Sequence, residues 1–152
     1  MKKKGGEMLP RKITNYFELA AEMAQSKDDR RTFLLGAVAV RADGALVKAV
    51  NGPSTFPLRE AHAEKRISSK LDPGSVVYVV RVRVGDKEFG MARPCWSCLR
   101  ALHAKGVKRI YYTISQIEYG VLDLTNWNKV KKLYRDTKSP RRSNFFNQKD
   151  CL

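Results

Sequence analysis

Pro94-Cys95-Trp96-Ser97-Cys98 decides the fold of this 152-residue chain, in combination with His62-Ala63-Glu64 about thirty residues earlier. The two stretches supply one imidazole and two thiols, which are the side chains that zinc prefers in proteins. A catalytic zinc site has three protein ligands and leaves the fourth tetrahedral position for water. We therefore predict that the histidine and the two cysteines bind one zinc ion, while the glutamate stays off the metal.

Such a site suits hydrolysis by an activated water. Zinc lowers the pKa of a bound water from about 16 to roughly 7, so that the water supplies hydroxide at neutral pH. His62, Cys95 and Cys98 are the predicted ligands. We expect Glu64 to take the proton of that water and to pass it to the leaving group of the substrate.

The spacing of these residues constrains the geometry. Cys95 and Cys98 are three residues apart, which places both sulfurs on one side of the start of a helix. A helix N-terminus lowers the pKa of a thiol and favours the thiolate. His62 and Glu64 are two residues apart, or roughly 200° on an ideal helix, so they converge only at a helix end. The sequence therefore predicts a zinc ion between the N-termini of two helices.

Other interpretations of the same residues stay open. A C-x-x-C pair is also typical of structural zinc sites and of redox pairs. A structural site usually has a fourth ligand, for which His103 and Cys151 are the candidates. We expect His103 to pack or to face solvent and Cys151 to be a free thiol. Trp96 and Phe56 either line the pocket or pack in the core, and we favour packing.

Length and composition limit the architecture. A chain of this size forms one domain with a single core. We divide it into a basic N-terminal tail (1–12), a zinc domain (13–137) and a basic C-terminal tail (138–152). Three cysteines, two of them assigned to the metal, leave no disulfide framework, which fits the reducing cytoplasm. No signal peptide and no run of about 20 apolar residues is visible, so we expect no membrane association.

Hydrophobic periodicity predicts an α/β order of elements. The predicted elements are helix one over 13–24, a hairpin of strands 33–40 and 45–50 around Asp43-Gly44, helix two with His62 and Glu64 ending near residue 71, strand three over 76–84, helix three from the cysteines to Gly106, strand four over 107–113 and strand five over 119–124. Only seven residues separate Thr113 from Val121. A parallel crossover needs a dozen or more residues, so strand five should run antiparallel to strand four.

The pattern H-x-E…P-C-x-x-C is a known signature of zinc-dependent nucleobase deaminases. With both motifs at strand-to-helix transitions, the chain resembles the cytidine deaminase superfamily over roughly residues 14 to 125. The resemblance implies a three-layer α-β-α sandwich around a five-stranded mixed sheet, with zinc as the cofactor. It also implies that Asn51 contacts the sugar of the substrate and that the backbone of Ala63 contacts the base.

Two features bear on which branch of the superfamily the chain resembles. The antiparallel fifth strand is similar to that of free-nucleoside cytidine deaminases and bacterial deaminase toxins, rather than tRNA adenosine or deoxycytidylate deaminases. Arg93 departs from the Ser or Thr that many members have before Pro-Cys. Because contact there is often through the backbone carbonyl, this departure is compatible with the resemblance but leaves the substrate open.

The distribution of charge along the chain also bears on the identity of the substrate. The net charge is +15, and residues 1–12 (net +4) and 127–152 (net +6) hold ten of these charges. Such a balance suits a polyanionic partner such as single-stranded nucleic acid. It equally suits the phosphate of one nucleotide, a solvated tail that aids solubility, or a contact between subunits of a homo-oligomer.

We therefore expect a zinc-dependent hydrolase that converts cytosine to uracil in a cytidine or deoxycytidine nucleoside or nucleotide. One alternative keeps the chemistry and makes the substrate a cytosine, or an adenine, in single-stranded DNA or RNA held by the basic tails. Another is a non-catalytic zinc domain that binds nucleic acid, although such a domain would have no use for Glu64. Many members of the superfamily associate as dimers or tetramers, so residues of a neighbouring subunit could complete the pocket.

Overall fold

The computed structural model describes residues 11–25, 33–50, 67–68, 70–83 and 85–136. In chain order its elements are α1 (Arg11–Gln25), β1 (Phe33–Val40), β2 (Leu46–Val50), β3 (Val76–Arg83), β4 (Phe89–Gly90), α2 (Trp96–Ala104), β5 (Arg109–Thr113), β6 (Tyr119–Asp123) and α3 (Trp127–Asp136). A 3-10 turn over Leu124–Asn126 precedes α3. Helix one, helix three and the five predicted strands are therefore present with small changes of their ends.

The strands form one mixed sheet in the order β2-β1-β3-β5-β6. β3 and β5 are parallel, while the other pairs in this order are antiparallel. The predicted strand five, which is β6, runs antiparallel to β5, with Tyr111 opposite Val121. β4, a two-residue strand that pairs with β3, was not predicted. Within the described residues the sheet therefore has six strands rather than five.

The β1–β2 hairpin follows the prediction made from Asp43-Gly44. Gly44 has a φ of +92°, a left-handed conformation that glycine adopts without steric cost. The Asp43 carboxylate accepts a 3.0 Å hydrogen bond from the backbone N–H of Ala45. The turn residues thus fix the register that pairs Val40 with Leu46.

Side chains alternate across the sheet, so β3 contributes to both of its faces. Val80 and Val82 pack with Phe17 of α1 on one face. Val77 and Val79 belong to the core on the opposite face, which also contains Leu99 and Leu102 of α2 and Val130 and Tyr134 of α3. Helices cover both faces of the sheet, and the architecture is the predicted α-β-α sandwich.

The segment from β3 to β5 positions the cysteine motif. The strands are parallel, and α2 returns the chain from the carboxyl end of β3 to the start of β5. Open α/β sheets bind ligands at the carboxyl ends of their strands. The N-terminus of α2, where the cysteines lie, is at this edge of the sheet.

Helix α3 was not predicted. The sequence analysis counted the charge of residues 127–152 as one basic segment, whereas Trp127–Asp136 is a folded helix. Four of the eight Lys and Arg residues of that segment lie on it, at positions 129, 131, 132 and 135. Half of the Lys and Arg residues of 127–152 therefore belong to a folded helix rather than to a tail. In the part of the chain that the structure describes, no helix is long and apolar enough to cross a membrane.

Candidate functional site

The predicted site residues divide into two groups. Cys95 and Cys98 lie within the described part of the chain, at the start of α2. The others, His62, Glu64, Asn51 and Ala63, lie outside the described residues, as does Phe56. The structure therefore describes the half of the site that the P-C-x-x-C motif supplies.

The loop between β4 and α2 is held against the end of β5. The buried Thr113 hydroxyl donates a 2.7 Å hydrogen bond to the carbonyl of Gly90. The backbone carbonyl of Thr113 accepts a 2.8 Å hydrogen bond from the N–H of Ala92. These two bonds fix the chain two residues before the fully buried Pro94. The backbone that leads into the cysteines is thus fixed by the sheet.

Cys95 is the N-cap residue of α2. Its backbone is extended (φ −71°, ψ 167°), and its carbonyl accepts the first helical hydrogen bond, from Leu99 at 2.9 Å. Its side chain makes no capping hydrogen bond to the helix. The sulfur therefore lies at the positive end of the helix dipole, which favours a thiolate.

Both cysteines are buried and contact each other. Cys95 is 4% exposed and Cys98 is fully buried, and they form a cluster separate from the two main cores. The predicted convergence of the two side chains at a helix N-terminus is thus present. A pair of buried sulfurs in this position is suited to a soft, thiolate-binding metal such as zinc.

Helix α3 is attached to the loop that carries Cys95. The Tyr134 hydroxyl donates a 2.6 Å hydrogen bond to the carbonyl of Pro94. The guanidinium carbon of Arg93 lies 4.6 Å from the centre of the Tyr134 ring, a cation–π contact. Arg93, which departs from the residue common at this position, thus packs on a residue 41 positions further along the chain.

Aromatic rings join α2 to α3. The Trp96 ring is nearly parallel to that of Trp127, with centroids 5.7 Å apart, and lies 5.7 Å from the tilted ring of Tyr134. The His103 ring is stacked on Trp127 at 3.7 Å. His103 packs as expected, and its stacked position argues against its use as a fourth metal ligand. Trp96 contacts two rings but is 37% exposed, so it is not a core residue.

Comparison with known proteins identifies the family of the chain. Residues 10–114 match the family model described as the cytidine and deoxycytidylate deaminase zinc-binding region. The chain belongs to this family. The fold is also similar to the 1.6 Å crystal structure of cytidine deaminase from Burkholderia pseudomallei, with a TM-score of 0.52 and 20% identity over 76% of this chain and 93% of that one. No curated protein sequence matched the chain.

Membership of the deaminase family gives the cysteine pair a metal-binding context. The matched region contains both halves of the predicted ligand set, His62 as well as Cys95 and Cys98. Among the described residues, no three His, Cys, Asp or Glu side chains come together as a metal site. The two sulfurs fit zinc by type, burial and position, and the third predicted ligand, His62, lies outside the described residues.

The oxidation state of Cys95 matters for this assignment. A sulfur in a disulfide is no longer a thiolate, and zinc binds the thiolate. The ligand prediction therefore applies to the reduced chain.

The sequence analysis missed the residues of α3 that support the site. Trp127, Val130 and Tyr134 recur at the i, i+3 and i+7 spacing of a buried helix face. That signal was available, but four cations in the same ten residues made the segment look like a solvated tail. These residues lie beyond the part of the chain that matches the deaminase family model.

Proposed function

We propose that this protein is a zinc-dependent deaminase that hydrolyses cytosine to uracil in a cytidine or deoxycytidine nucleoside or nucleotide. The observation that supports this most is the pair of buried, mutually contacting cysteines at the N-terminus of α2, inside the region that matches a deaminase zinc-binding family. His62, Cys95 and Cys98 would hold the zinc ion. When bound, zinc supplies the chemistry of a water with a pKa near 7.

The chain's own residues carry the proton transfers and the binding. Water adds across the double bond between the ring carbon and the adjacent ring nitrogen: the carbon gains a hydroxyl and the nitrogen a proton. The bond from that carbon to the exocyclic amine then breaks, the hydroxyl becomes a carbonyl, and the amine leaves as ammonia. Glu64 accepts the first proton of the attacking water and delivers it to the ring nitrogen, and then transfers the proton of the new hydroxyl to the leaving amine. Asn51 holds the sugar and the backbone of Ala63 holds the base, as the family resemblance implies.

The test is product analysis of reduced, zinc-loaded protein with cytidine, deoxycytidine, their monophosphates and adenosine. We expect uracil products from the cytosine substrates and no inosine. Glu64→Gln should lower kcat by at least about a thousandfold and leave the zinc content at one per chain, because proton transfer is lost and no ligand is removed. Glu88→Gln, the same change at an exposed turn residue, is the matched control.

Two outcomes would overturn the proposal. Loss of zinc from Glu64→Gln would make Glu64 a ligand. No turnover of any base by a zinc-replete preparation that still binds nucleic acid would favour the non-catalytic zinc domain.

A second candidate has the same chemistry on cytosine in single-stranded DNA or RNA. A base must be unpaired or flipped out of the duplex to enter a deaminase pocket. A basic and aromatic surface beside Cys95 favours this candidate.

A further inference from the structure

The surface beside the cysteine motif combines stacked rings with unpaired cations. We name it the Trp96 surface and define it by Arg93, Trp96 and Arg100 around the start of α2 together with Trp127 and Lys131 of α3. Trp96 is 37% exposed, which is unusual for a tryptophan packed against two other aromatic rings. The α3 half of the surface lies beyond the family match, so it is a feature of this chain rather than of the family model.

The rings form a continuous stack. Trp96 and His103 are seven residues apart on α2, or about two turns and 10.5 Å. Trp127 is nearly parallel to both rings, at 5.7 Å from Trp96 and 3.7 Å from His103. A ring that approaches both so closely must lie between them. Trp96 is therefore one end of the stack, in contact with Trp127 from α3, and it is 37% exposed.

The direction of Trp96 decides what it could bind. Trp96 and Cys98 are two positions apart on α2 and point about 200° apart around the helix axis, so Trp96 does not face the metal ligands. It does follow Cys95 directly, so their Cα atoms are about 3.8 Å apart. Trp96 is thus next to the predicted ligand Cys95 without pointing in the direction of Cys98. A ring at this place suits a base adjacent to the reacting base, not the reacting base itself.

The charge around the rings is predominantly positive. Residues 93–105 contain three Lys or Arg and no Asp or Glu, and α3 contains four Lys or Arg and one Asp. Trp96, Arg100 and His103 share one stripe of α2, because residues four and seven apart lie on one side of a helix. Trp127, Lys131 and Arg135 share a stripe of α3 in the same way. Arg100 and Lys131 are exposed, and neither has a carboxylate partner among the described residues.

We propose that the Trp96 surface binds single-stranded nucleic acid, with a base next to the target cytosine stacked on Trp96 and the phosphates on Arg100 and Lys131. The combination of an exposed ring with a cationic groove is the chemistry by which proteins bind single strands. The proposal deepens the proposed function, because the test that measures deamination of an oligonucleotide requires that function. The test that measures oligonucleotide binding does not depend on it.

The chain offers a direct probe of this binding. Its two tryptophans are Trp96 and Trp127, so the whole tryptophan fluorescence comes from the stack. Full-length protein is titrated with unlabelled single-stranded oligonucleotides of about 12 nucleotides, as DNA and as RNA, and with deoxycytidine monophosphate. We expect the oligonucleotides to quench the fluorescence and the mononucleotide to leave it nearly unchanged, because a single target base does not reach Trp96. The DNA and RNA arms distinguish the two kinds of strand.

Single substitutions test whether oligonucleotides bind at the Trp96 surface. Trp96→Ala should weaken oligonucleotide binding at least about fivefold, measured by anisotropy of a labelled strand, since a base–aromatic stack is lost. Lys131→Gln should reduce the slope of log K against log salt by about 0.7, the value for one phosphate contact on a single strand. Lys132→Gln is the matched control, the same change one residue along the helix, where Lys132 pairs with Asp136 at 2.7 Å. It should leave the slope unchanged.

The outcomes separate the inference from the proposed function. Absence of oligonucleotide binding at low salt, or binding that neither Trp96→Ala nor Lys131→Gln weakens, would overturn the inference while cytidine turnover could still uphold the function. Binding that depends on both residues, without deamination of any base, would uphold the inference and overturn the function. If Trp96→Ala fails to fold, Lys131→Gln and Arg100→Gln decide the matter, because both residues are exposed. When both proposals hold, the ratio of kcat/KM for an oligonucleotide to that for deoxycytidine falls in these variants.

Discussion

Tyr134 and Pro94 are joined by a hydrogen bond of 2.6 Å, which the tyrosine hydroxyl donates to the proline carbonyl. Tyr134 is 7% exposed and Pro94 is fully buried, so water does not replace this bond. The bond connects α3, the last described helix, to the residue immediately before Cys95. The position of one predicted zinc ligand thus depends on a helix about forty residues away in sequence.

Tyr134→Phe tests this dependence. The substitution leaves the ring under Arg93 but leaves the buried Pro94 carbonyl without its donor, and an unsatisfied buried acceptor costs about 1–3 kcal/mol. We expect the free energy of unfolding in urea to fall by that amount and zinc affinity to fall as well. Tyr111→Phe is the control, because the Tyr111 hydroxyl accepts a longer bond, 3.3 Å from Arg109, at a partly exposed position. Equal stability of Tyr134→Phe and the parent protein would show that α3 does not hold the loop.

Zinc stoichiometry tests the ligand assignment at Cys98. Cys98→Ser replaces a buried thiolate donor by a hydroxyl, which zinc binds far more weakly. We expect zinc per chain, measured by metal analysis after buffer exchange, to fall from about one to near zero. His103→Gln should keep its zinc, because the His103 ring is stacked on Trp127. Full retention of zinc by Cys98→Ser would remove Cys98 from the ligand set.

The need of zinc for thiolates predicts that zinc uptake depends on reduction. An oxidised Cys95 or Cys98 is no longer a thiolate, so an oxidised chain lacks at least one of the three predicted ligands. We expect protein treated with a thiol reductant to bind about one zinc per chain and protein kept oxidised to bind clearly less, as measured by a chromogenic zinc indicator. The same zinc content in both preparations would mean that Cys95 is not needed for the metal.

Short apolar runs were sufficient to predict the main strands of the sheet, because β3 is buried on both faces and β1 and β2 flank a turn that needs glycine. It could not predict β4, since two residues carry no period. It did not reveal α3, where the apolar positions Trp127, Val130 and Tyr134 are outnumbered by polar and charged neighbours. Local patterns therefore predicted elements whose burial is periodic and missed those defined by contacts with distant parts of the chain.

The same limit applies to the site. The three-residue spacing of Cys95 and Cys98 predicted a shared position at a helix N-terminus, because spacing on a helix fixes direction. The bond from Tyr134 and the stack of Trp127 between Trp96 and His103 were beyond prediction, because they join α2 to a helix more than twenty residues later. The roles of His62 and Glu64 remain predictions, since both residues lie outside the described part of the chain.

Gly36 lies at a close approach of β1 to α1 that no sequence pattern suggested. A Cβ atom on Gly36 of β1 would overlap the backbone carbonyl of Ala20 in α1. Since backbone cannot move aside as a flexible side chain can, Gly36→Ala should force α1 away from the sheet and lower the free energy of unfolding by about 1–3 kcal/mol or more. Gly85→Ala is the matched control, because a Cβ there meets no atom within 4 Å. Equal unfolding midpoints for the two variants would mean that α1 does not pack closely on β1.

The burial of Tyr78 allows a prediction of how the free energy of unfolding changes at high pH. Its ring lies between those of Tyr16 and Tyr111, at 4.5 and 5.0 Å, and is almost fully buried. Burial, with smaller contributions from Tyr111 and Tyr16, raises the pKa of Tyr78 from 10.0 to about 12. Above pH 10 the unfolded chain therefore releases this proton while the folded chain still holds it.

The sign of the effect follows from this difference in bound protons. The stability that depends on neutral Tyr78 is fully present below pH 10 and is lost as the pH rises from 10 towards 12, because the unfolded state then binds fewer protons than the folded state. We expect urea unfolding between pH 9 and about 11.5 to show a falling free energy of unfolding, and Tyr78→Phe to show a smaller decline because it has no proton to release. An absorbance titration at about 295 nm should lose one late-titrating tyrosinate in the variant. Parallel stability profiles for the two proteins would place the alkaline transition at other residues.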